Sequence, residues 1–371
     1  MNSYVLSAEE EKSLVDRGLL PDVWSGEAPW PGPLPADRAL LEDRYRGCLV
    51  GGAIGDALGR PGEGRSPSVI AKRYGELRDF HPWRGWTSGP KGTITDDTQL
   101  TMEVARTYLA RGYLDPVDLA TRVGDWLDIG RGKGKTCTEA ALRIRKGRPW
   151  IGTGLESAGN GAAMRAAPVG LARPDDLNLL RREAMLSCVV THADGLAVAS
   201  TVAMALSVAH LLRVPAGELE TDPFVKSLLS AFEGVPDSPC LERRRDPPPE
   251  RVRLSDRIRD VASWLDRSWQ DVTAYTWTGA YVLESLPAAF WFFLRYREDP
   301  EECLVRAASV GHDSDTIAAM AGNMIGAYHG LEALPVRWRE DLEFYLELIE
   351  MADGLLELAL GSTTAGESPD A

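Results

Sequence analysis

Apolar residues in this chain recur mostly at helical spacing. After Thr95, the residues Leu100, Val104 and Tyr108 fall at i, i+4 and i+8, and Gly112 closes that helix. Asp115-Pro116 predicts the next start, an N-cap followed by proline in the first helical position. The stretch from Asp194 to Leu212 is apolar or small nearly all round, as suits a helix buried at the centre. Ile317 to Tyr328 is similar, and Ala318, Ala321, Gly322 and Gly326 allow close helix contacts. Residues 333–360 predict a long, partly amphipathic C-terminal helix. Alternating strand patterns and NG or DG hairpin signals are nearly absent, and nothing repeats at a solenoid period. One large all-α domain is expected, spanning residues 39–360.

Several segments depart from this pattern. Residues 1–38 predict an extension lying on the main body, with a short helix from Ala8 to Arg17 and a Pro/Gly/Trp-rich segment from Gly26 to Pro35. Arg60 to Gly92, rich in Gly, Pro, Arg and Trp, is expected as a long loop. Residues 215–255 carry Arg243-Arg244-Arg245 and Pro247-Pro248-Pro249 and read as a surface insertion. The small, polar stretch 361–371 is expected to be a disordered tail.

Two clusters carry candidate chemistry. Thr95-Asp96-Asp97-Thr98 and Gly311-His312-Asp313-Ser314-Asp315-Thr316 each place two carboxylates and a hydroxyl at an expected first helical turn. Acidic residues there have an ordinary use, since they cap free N–H groups and complement the helix dipole. That accounts readily for one Asp, less well for two adjacent ones, whose side chains diverge by about 100° around the helix. If the clusters face one another, their oxygens form a cage suited to hard cations such as Mg²⁺ or Mn²⁺.

In Gly51-Gly52-Ala53-Ile54-Gly55-Asp56-Ala57-Leu58-Gly59, three glycines share one helix side, and a smooth packing face is expected. Asp56 would then be at least partly buried and need a partner. Glu63 follows in a loop. Ser157 to Arg165 is a small-residue turn leading into a helix. It suits either a diphosphate cradle or a plain cap, with Arg165 available to a phosphate or a buried Asp. His192 begins the buried helix, either as a cap-associated group or as a ligand contact. Gly130-Arg131-Gly132-Lys133-Gly134-Lys135-Thr136 lacks P-loop spacing, because Ile129 stands where a glycine is needed, but a basic loop near an anionic substrate remains reasonable. HExxH and GxSxG are both missing, which argues against a zinc protease or a serine hydrolase.

The chain has 371 residues, 44% of them hydrophobic, enough for a large core. Its net charge of −14 argues against non-specific binding to nucleic acid or an anionic membrane. Five scattered cysteines without CxxC suggest reduced thiols in a cytosolic protein. The N-terminus lacks a basic region followed by an apolar run, and Tyr281 to Leu294 is too short to span a bilayer, so neither a signal peptide nor a membrane anchor is expected.

In order along the chain, GDALGRPGE (Gly55–Glu63), TDDTQL (Thr95–Leu100), GNGAAMRAAP (Gly159–Pro168), Thr191-His192, YVLESLPAA (Tyr281–Ala289) and GHDSDTIAAMAGNMIGAYHG (Gly311–Gly330) resemble the ADP-ribosylglycohydrolase family. The resemblance implies a compact, orthogonal multi-helix all-α fold with a binuclear Mg²⁺ or Mn²⁺ centre. It implies metal ligation by Thr95, Asp96, Asp97, Asp313, Asp315 and Thr316, and catalysis involving Glu63, Asp97 and Asp315. Ser157, Gly159, Asn160, Gly161 and Met164 match the loop that holds the diphosphate and distal ribose, and His192 matches a histidine near the ligand. Two departures stand out. His312 replaces the second glycine of the common GGDTDT, which would narrow the site or add a substrate contact. Gly132 stands where some members carry a catalytic Asp in Asp-x-Gly-x-Thr.

The expectation is a cytoplasmic, monomeric, metal-dependent hydrolase that releases ADP-ribose from a protein side chain or small molecule. A two-metal phosphohydrolase and a non-catalytic ADP-ribose-binding module are the rival readings.

Overall fold

In a computed structural model, which describes residues 3–21, 30–82, 89–237, 240–241 and 251–364, the chain is helical nearly throughout. The first helices are α1 (Ala8–Asp16), α2 (Arg38–Gly59), α3 (Pro67–Tyr74), α4 (Asp96–Arg111), α5 (Pro116–Trp126) and α6 (Lys135–Arg145). There follow α7 (Ala167–Ala172), α8 (Leu177–Val189), α9 (Gly195–Leu211), α10 (Thr221–Ala231), α11 (Leu254–Ser263) and α12 (Trp269–Thr276). The last are α13 (Val282–Arg295), α14 (Pro300–Ala308), α15 (Ser314–His329), α16 (Val336–Asp341) and α17 (Tyr345–Thr364). A two-residue antiparallel pair, β1 (Cys240–Leu241) with β2 (Arg251–Val252), is the one strand ladder among the described residues. None of the described helices is long and apolar enough to cross a membrane.

The pairing of α2 with α15 organises the molecule, and glycine makes it possible. A Cβ on Gly51 would stand 2.4 Å from the Gly322 carbonyl oxygen, one on Gly55 2.0 Å from that of Ala318, and one on Gly59 2.4 Å from that of Ser314. Numbers rise on one helix as they fall on the other, so the helices run antiparallel in backbone contact. Asn323 locks them by donating to the Cys48 carbonyl at 2.8 Å. The C-terminal turn of α2, with Asp56, thus meets the N-terminal turn of α15, with Asp315.

A methyl group at Gly55 cannot rotate away from a backbone oxygen. Although alanine is the better helix former by about 1 kcal/mol, the overpacking should dominate, and Gly55→Ala should lose about 2 kcal/mol or more. Urea unfolding measures this; unchanged stability would mean that the two helices can part freely.

Helix α9 is buried from Leu196 to Leu211, as its pattern predicts. Beside it, Arg173 and Glu183 form a buried ion pair at 2.8 Å, to which the Tyr108 hydroxyl donates at 2.7 Å. On the body's surface α1 starts with a Ser7–Glu10 capping box, and Trp150 Nε1 donates to Glu10 at 2.8 Å.

Four expected boundaries change. The stretch from Arg60 to Gly92 is not simply loop: a 3₁₀ turn (Arg60–Gly62) and α3 lie within it, and α3 buries little beyond Ile70, which left it without apolar periodicity. Residues 333–360 are not one helix. Phe344, at φ +59°, separates α16 from α17, and there Glu343 N–H bonds the Gly92 carbonyl at 3.0 Å, docking the segment that precedes α4. Of the expected surface insertion, residues 221–231 form α10, whose Phe224, Val225 and Leu228 are buried; the arginine and proline runs lie outside the described residues. Helix α17 continues to Thr364, past the expected start of the tail, and residues 365–371 lie outside the described residues, as do residues 26–29 of the Pro/Gly/Trp-rich segment.

Candidate metal centre and ligand cavity

The start of α4 is capped from another helix. Asp56 of α2 accepts the backbone N–H groups of Thr95 (2.9 Å) and Thr98 (3.1 Å), and both threonine hydroxyls, at 2.8 and 2.6 Å. Asp56 thereby takes over the capping role open to Asp96 and Asp97, because the amide at the third helical position is already satisfied. Asp96 Oδ2 instead accepts Gly134 N–H at 3.1 Å. Asp97 Oδ2 lies 3.2 Å from the Thr95 hydroxyl, and Asp97 Oδ1 is buried without a hydrogen-bond partner. Thr95 faces Asp56 and does not line the cavity described next.

Asp96 and Asp97 line a cavity of about 270 Å³ together with Glu63, Asp313, Asp315 and Thr316. The two sequence clusters therefore meet in space. Oxygens of Asp56, Asp97 and Asp315 lie within 4.8 Å of one another, and so do oxygens of Glu63, Asp313 and Asp315, which makes Asp315 common to both groups. Burial pushes the Asp97 and Asp315 carboxyls well above the ordinary range, and neighbouring carboxylates push the same way. Asp96 is raised to about 8 and Asp313 to about 6, chiefly by burial. Arg60 supplies nearby positive charge, pairing with Glu63 and standing 3.8 Å from Asp315. Buried carboxylates in this number need protons or cations, and an all-oxygen donor set containing an unpartnered oxygen suits hard divalent ions. The residues present fit such a site.

The turn preceding α7 also borders the cavity. Gly159, Asn160, Gly161 and Met164 line the cavity, as does His192. Asn160 anchors the turn through its N–H to the Ala280 carbonyl at 3.0 Å and through its amide to Asp313 and Ser285. Space forces glycine at 161, where a Cβ would lie 2.9 Å from both Cys137 Sγ and His192 Cε1. Arg165 does not line the cavity and pairs with no aspartate among the described residues. Fully buried, it donates to the Gly161 and Ser187 carbonyls and to Thr191 Oγ1 at 2.7 Å. Thr191 in turn contacts His192 Nδ1 at 2.8 Å. With its oxygen accepting from Arg165, the hydroxyl proton is available to Nδ1, which leaves hydrogen on Nε2. Burial, aided by the Arg165 charge, lowers the His192 pKa to about 3, so the imidazole is neutral.

Ser157 stands beside the cavity, not in its lining; its hydroxyl meets that of Thr136 at 3.0 Å. His312 also lies outside the lining. At φ +56° its ring turns away from Asp313, bonds the Thr278 hydroxyl at 2.9 Å and stacks on Trp277, so it does not narrow the acidic cavity. Gly132 backs Asp96: at φ +70° a Cβ there would lie 3.0 Å from Asp96 Oδ1, a position hostile to a further carboxylate. Sequence reasoning left Asp56 and Arg60 out of the site. Their signal was positional, since Asp56 sits between Gly55 and Gly59 and Arg60 follows it by one helical turn.

The ADP-ribosylglycohydrolase family profile matches residues 37–364. The ADP-ribosylhydrolase ARH3 of Gallus gallus is 31% identical over 347 residues, covering 85% of this chain and 93% of its own length. The ADP-ribosyl-[dinitrogen reductase] glycohydrolase of Rhodospirillum rubrum is 27% identical, covering 88% of this chain and 98% of its own. A solved ADP-ribosylglycohydrolase-related protein complex superposes with a TM-score of 0.67 at 28% identity, over 86% of this chain and 99% of that one.

Proposed function

This chain belongs to the ADP-ribosylglycohydrolase family, and from that premise we propose that it is a metal-dependent ADP-ribosylhydrolase. It cleaves the glycosidic bond between C1″ of ADP-ribose and an acceptor on a protein side chain or small molecule. The observation that carries this reading is the convergence of Glu63 with carboxylates from the starts of α4 and α15 on one small-residue cavity. The named relatives, an ADP-ribosylhydrolase and a glycohydrolase acting on ADP-ribosyl-dinitrogen reductase, support the same chemistry.

Asp96, Asp97, Asp313, Asp315 and Thr316 would hold two divalent cations, Mg²⁺ or Mn²⁺, with Asp56 orienting the start of α4 from behind. The cations, when bound, supply fixed positive charge that orients ribose hydroxyls and favours deprotonation of water. The small residues of the turn from Gly159 to Gly161 let the diphosphate approach its backbone closely, although the Asn160 N–H is held by Ala280 and the Gly159 N–H by Ser157. His192, neutral with hydrogen on Nε2, donates to a ligand oxygen. As the bond to C1″ stretches, the sugar acquires oxocarbenium character, which the surrounding carboxylates stabilise. Glu63 takes the proton of the attacking water, and Arg60 holds its carboxylate in place.

The purified chain, assayed with Mg²⁺ or Mn²⁺ against ADP-ribose in defined linkages, should release intact ADP-ribose from at least one. Release of AMP or inorganic phosphate would indicate phosphohydrolysis. Tight ADP-ribose binding without turnover on any linkage would indicate a binding module.

A further inference from the structure

A permanent positive charge stands at one side of the acidic cage. Arg60 pairs with Glu63, and its guanidinium lies 3.8 Å from Asp315. The side chain is only 14% exposed, so water screens its charge little. Among the described residues no lysine or arginine pairs with Asp96, Asp97 or Asp313. Lys135 lines the cavity but is exposed and forms no ion pair with these acids. Positive charge is therefore placed unevenly, beside Glu63 and Asp315 and paired to no oxygen of Asp97.

The backbone holds that charge where it is. Arg60 is the C-cap of α2, its N–H bonded to the Asp56 carbonyl, and its own carbonyl accepts Glu63 N–H at 3.2 Å across the 3₁₀ turn. The turn is pressed against the start of α15. A Cβ on Gly59 would lie 2.5 Å from Asp315 Cα, and one on Gly62 2.7 Å from Ser314 Oγ. The contact between α2 and α15 thus carries Arg60 to Asp315. A guanidinium keeps its proton at any pH the folded chain meets.

The acids form two overlapping groups, Asp56 with Asp97 and Asp315, and Glu63 with Asp313 and Asp315. In the first, Asp56 is committed to Thr95 and Thr98, while Asp97 Oδ1 is buried without a hydrogen-bond partner. A cation there meets an open oxygen. In the second, Glu63 is already paired and Asp315 already has a guanidinium nearby. A divalent cation on that side gains less from these carboxylates and is repelled by Arg60, an effect that weakens with distance toward the first group.

We infer that Arg60 is a built-in counter-cation that makes the two metal positions unequal. The Asp97 side binds a divalent cation tightly, and the Glu63–Asp313 side binds one about tenfold or more weaker, the scale on which neighbours of metal ligands alter affinity. Arg60 thereby sets the free-cation concentration at which the second position fills. This rests on the proposed two-cation centre.

The test is Mn²⁺ binding to the full chain without substrate, read by calorimetric titration and by loss of the electron paramagnetic resonance signal of free Mn²⁺. The wild type should show two classes of site, one ion each, with affinities about tenfold or more apart. Arg60→Gln, with Arg60→Met as a second neutral variant, should tighten the weaker class by about tenfold or more and move the tighter one by less than about threefold. Arg60→Lys keeps the positive charge and should preserve the gap. Two equal classes in the wild type, a weaker class absent or unchanged in the neutral variants, or a gap that Arg60→Lys closes as fully as Arg60→Gln would overturn the inference. No turnover is read. Unequal, Arg60-dependent binding without ADP-ribose release in the linkage panel would leave the inference standing and refute the hydrolase reading, and release with equal classes would do the reverse.

Discussion

Asp97→Asn and Asp315→Asn are each expected to lower divalent-cation affinity by about a hundredfold or more, while melting in chelator at or above the wild-type temperature. Loss of a partner that merely orients a metal ligand costs about 10- to 100-fold in affinity, and loss of the ligand's own charge should cost at least as much. The opposite sign on stability follows from the same geometry. Both side chains are almost fully buried among other carboxylates, and burial disfavours their charged forms. A neutral amide of the same shape removes that penalty. Calorimetric titration with Mn²⁺ and thermal melting in EDTA read the two effects separately. Wild-type affinity in both variants would remove Asp97 and Asp315 from the metal site, and a collapsed melting temperature in chelator would make their role structural.

A second large effect concerns pH. Without divalent cations, the melting temperature should fall as pH rises from 5 to 8, by on the order of 5 °C. Asp313 and Asp96 are raised from 3.8 to about 6 and about 8, respectively. Between pH 3.8 and these values the folded chain keeps protons that the unfolded chain has released. Raising pH through that window therefore favours unfolding, and the part owed to Asp313 and Asp96 is lost above about pH 8. Mn²⁺ or Mg²⁺ replaces those protons, so it should restore stability most at the alkaline end and release protons as it binds. His192 acts in the other direction at lower pH. With its pKa lowered to about 3, stability is lost as pH falls from 6.5 toward that value, because only the unfolded chain takes up the proton. Scanning calorimetry from pH 5 to 8, with EDTA or Mn²⁺, tests the assignment. A melting temperature rising with pH in EDTA would contradict it.

The helical architecture and the two acidic helix starts were legible in the sequence because both depend on local pattern, whereas the meeting of those starts, far apart in the chain, stood there only as a condition. Gly51, Gly55 and Gly59 announced a close helix contact, and the small residues from Ala318 to Gly326 supplied a matching surface. Roles that depend on distant partners were harder to read. Asp56 is an in-trans cap for α4, which no spacing near residue 95 discloses. Arg165, which the sequence offered to a phosphate or a buried Asp, is a buried support, and the carbonyls it satisfies come from separate segments. His312 sits beside Asp313 in sequence, yet its positive φ turns the ring away from it, onto Thr278 and Trp277. The break between α16 and α17 was hidden for a similar reason, since its partner is the loop at Gly92 and the apolar pattern of the helix is unaffected.

Anomalous diffraction from crystals of this chain grown with Mn²⁺ reads the carboxylate cage most directly. Manganese should appear between Asp97 and Asp315, with Asp96, Asp313 and Thr316 around it, and should vanish from the Asp97→Asn variant. Manganese bound only elsewhere on the chain, or these carboxylates without any ion at concentrations that sustain ADP-ribose release, would contradict a shared metal centre.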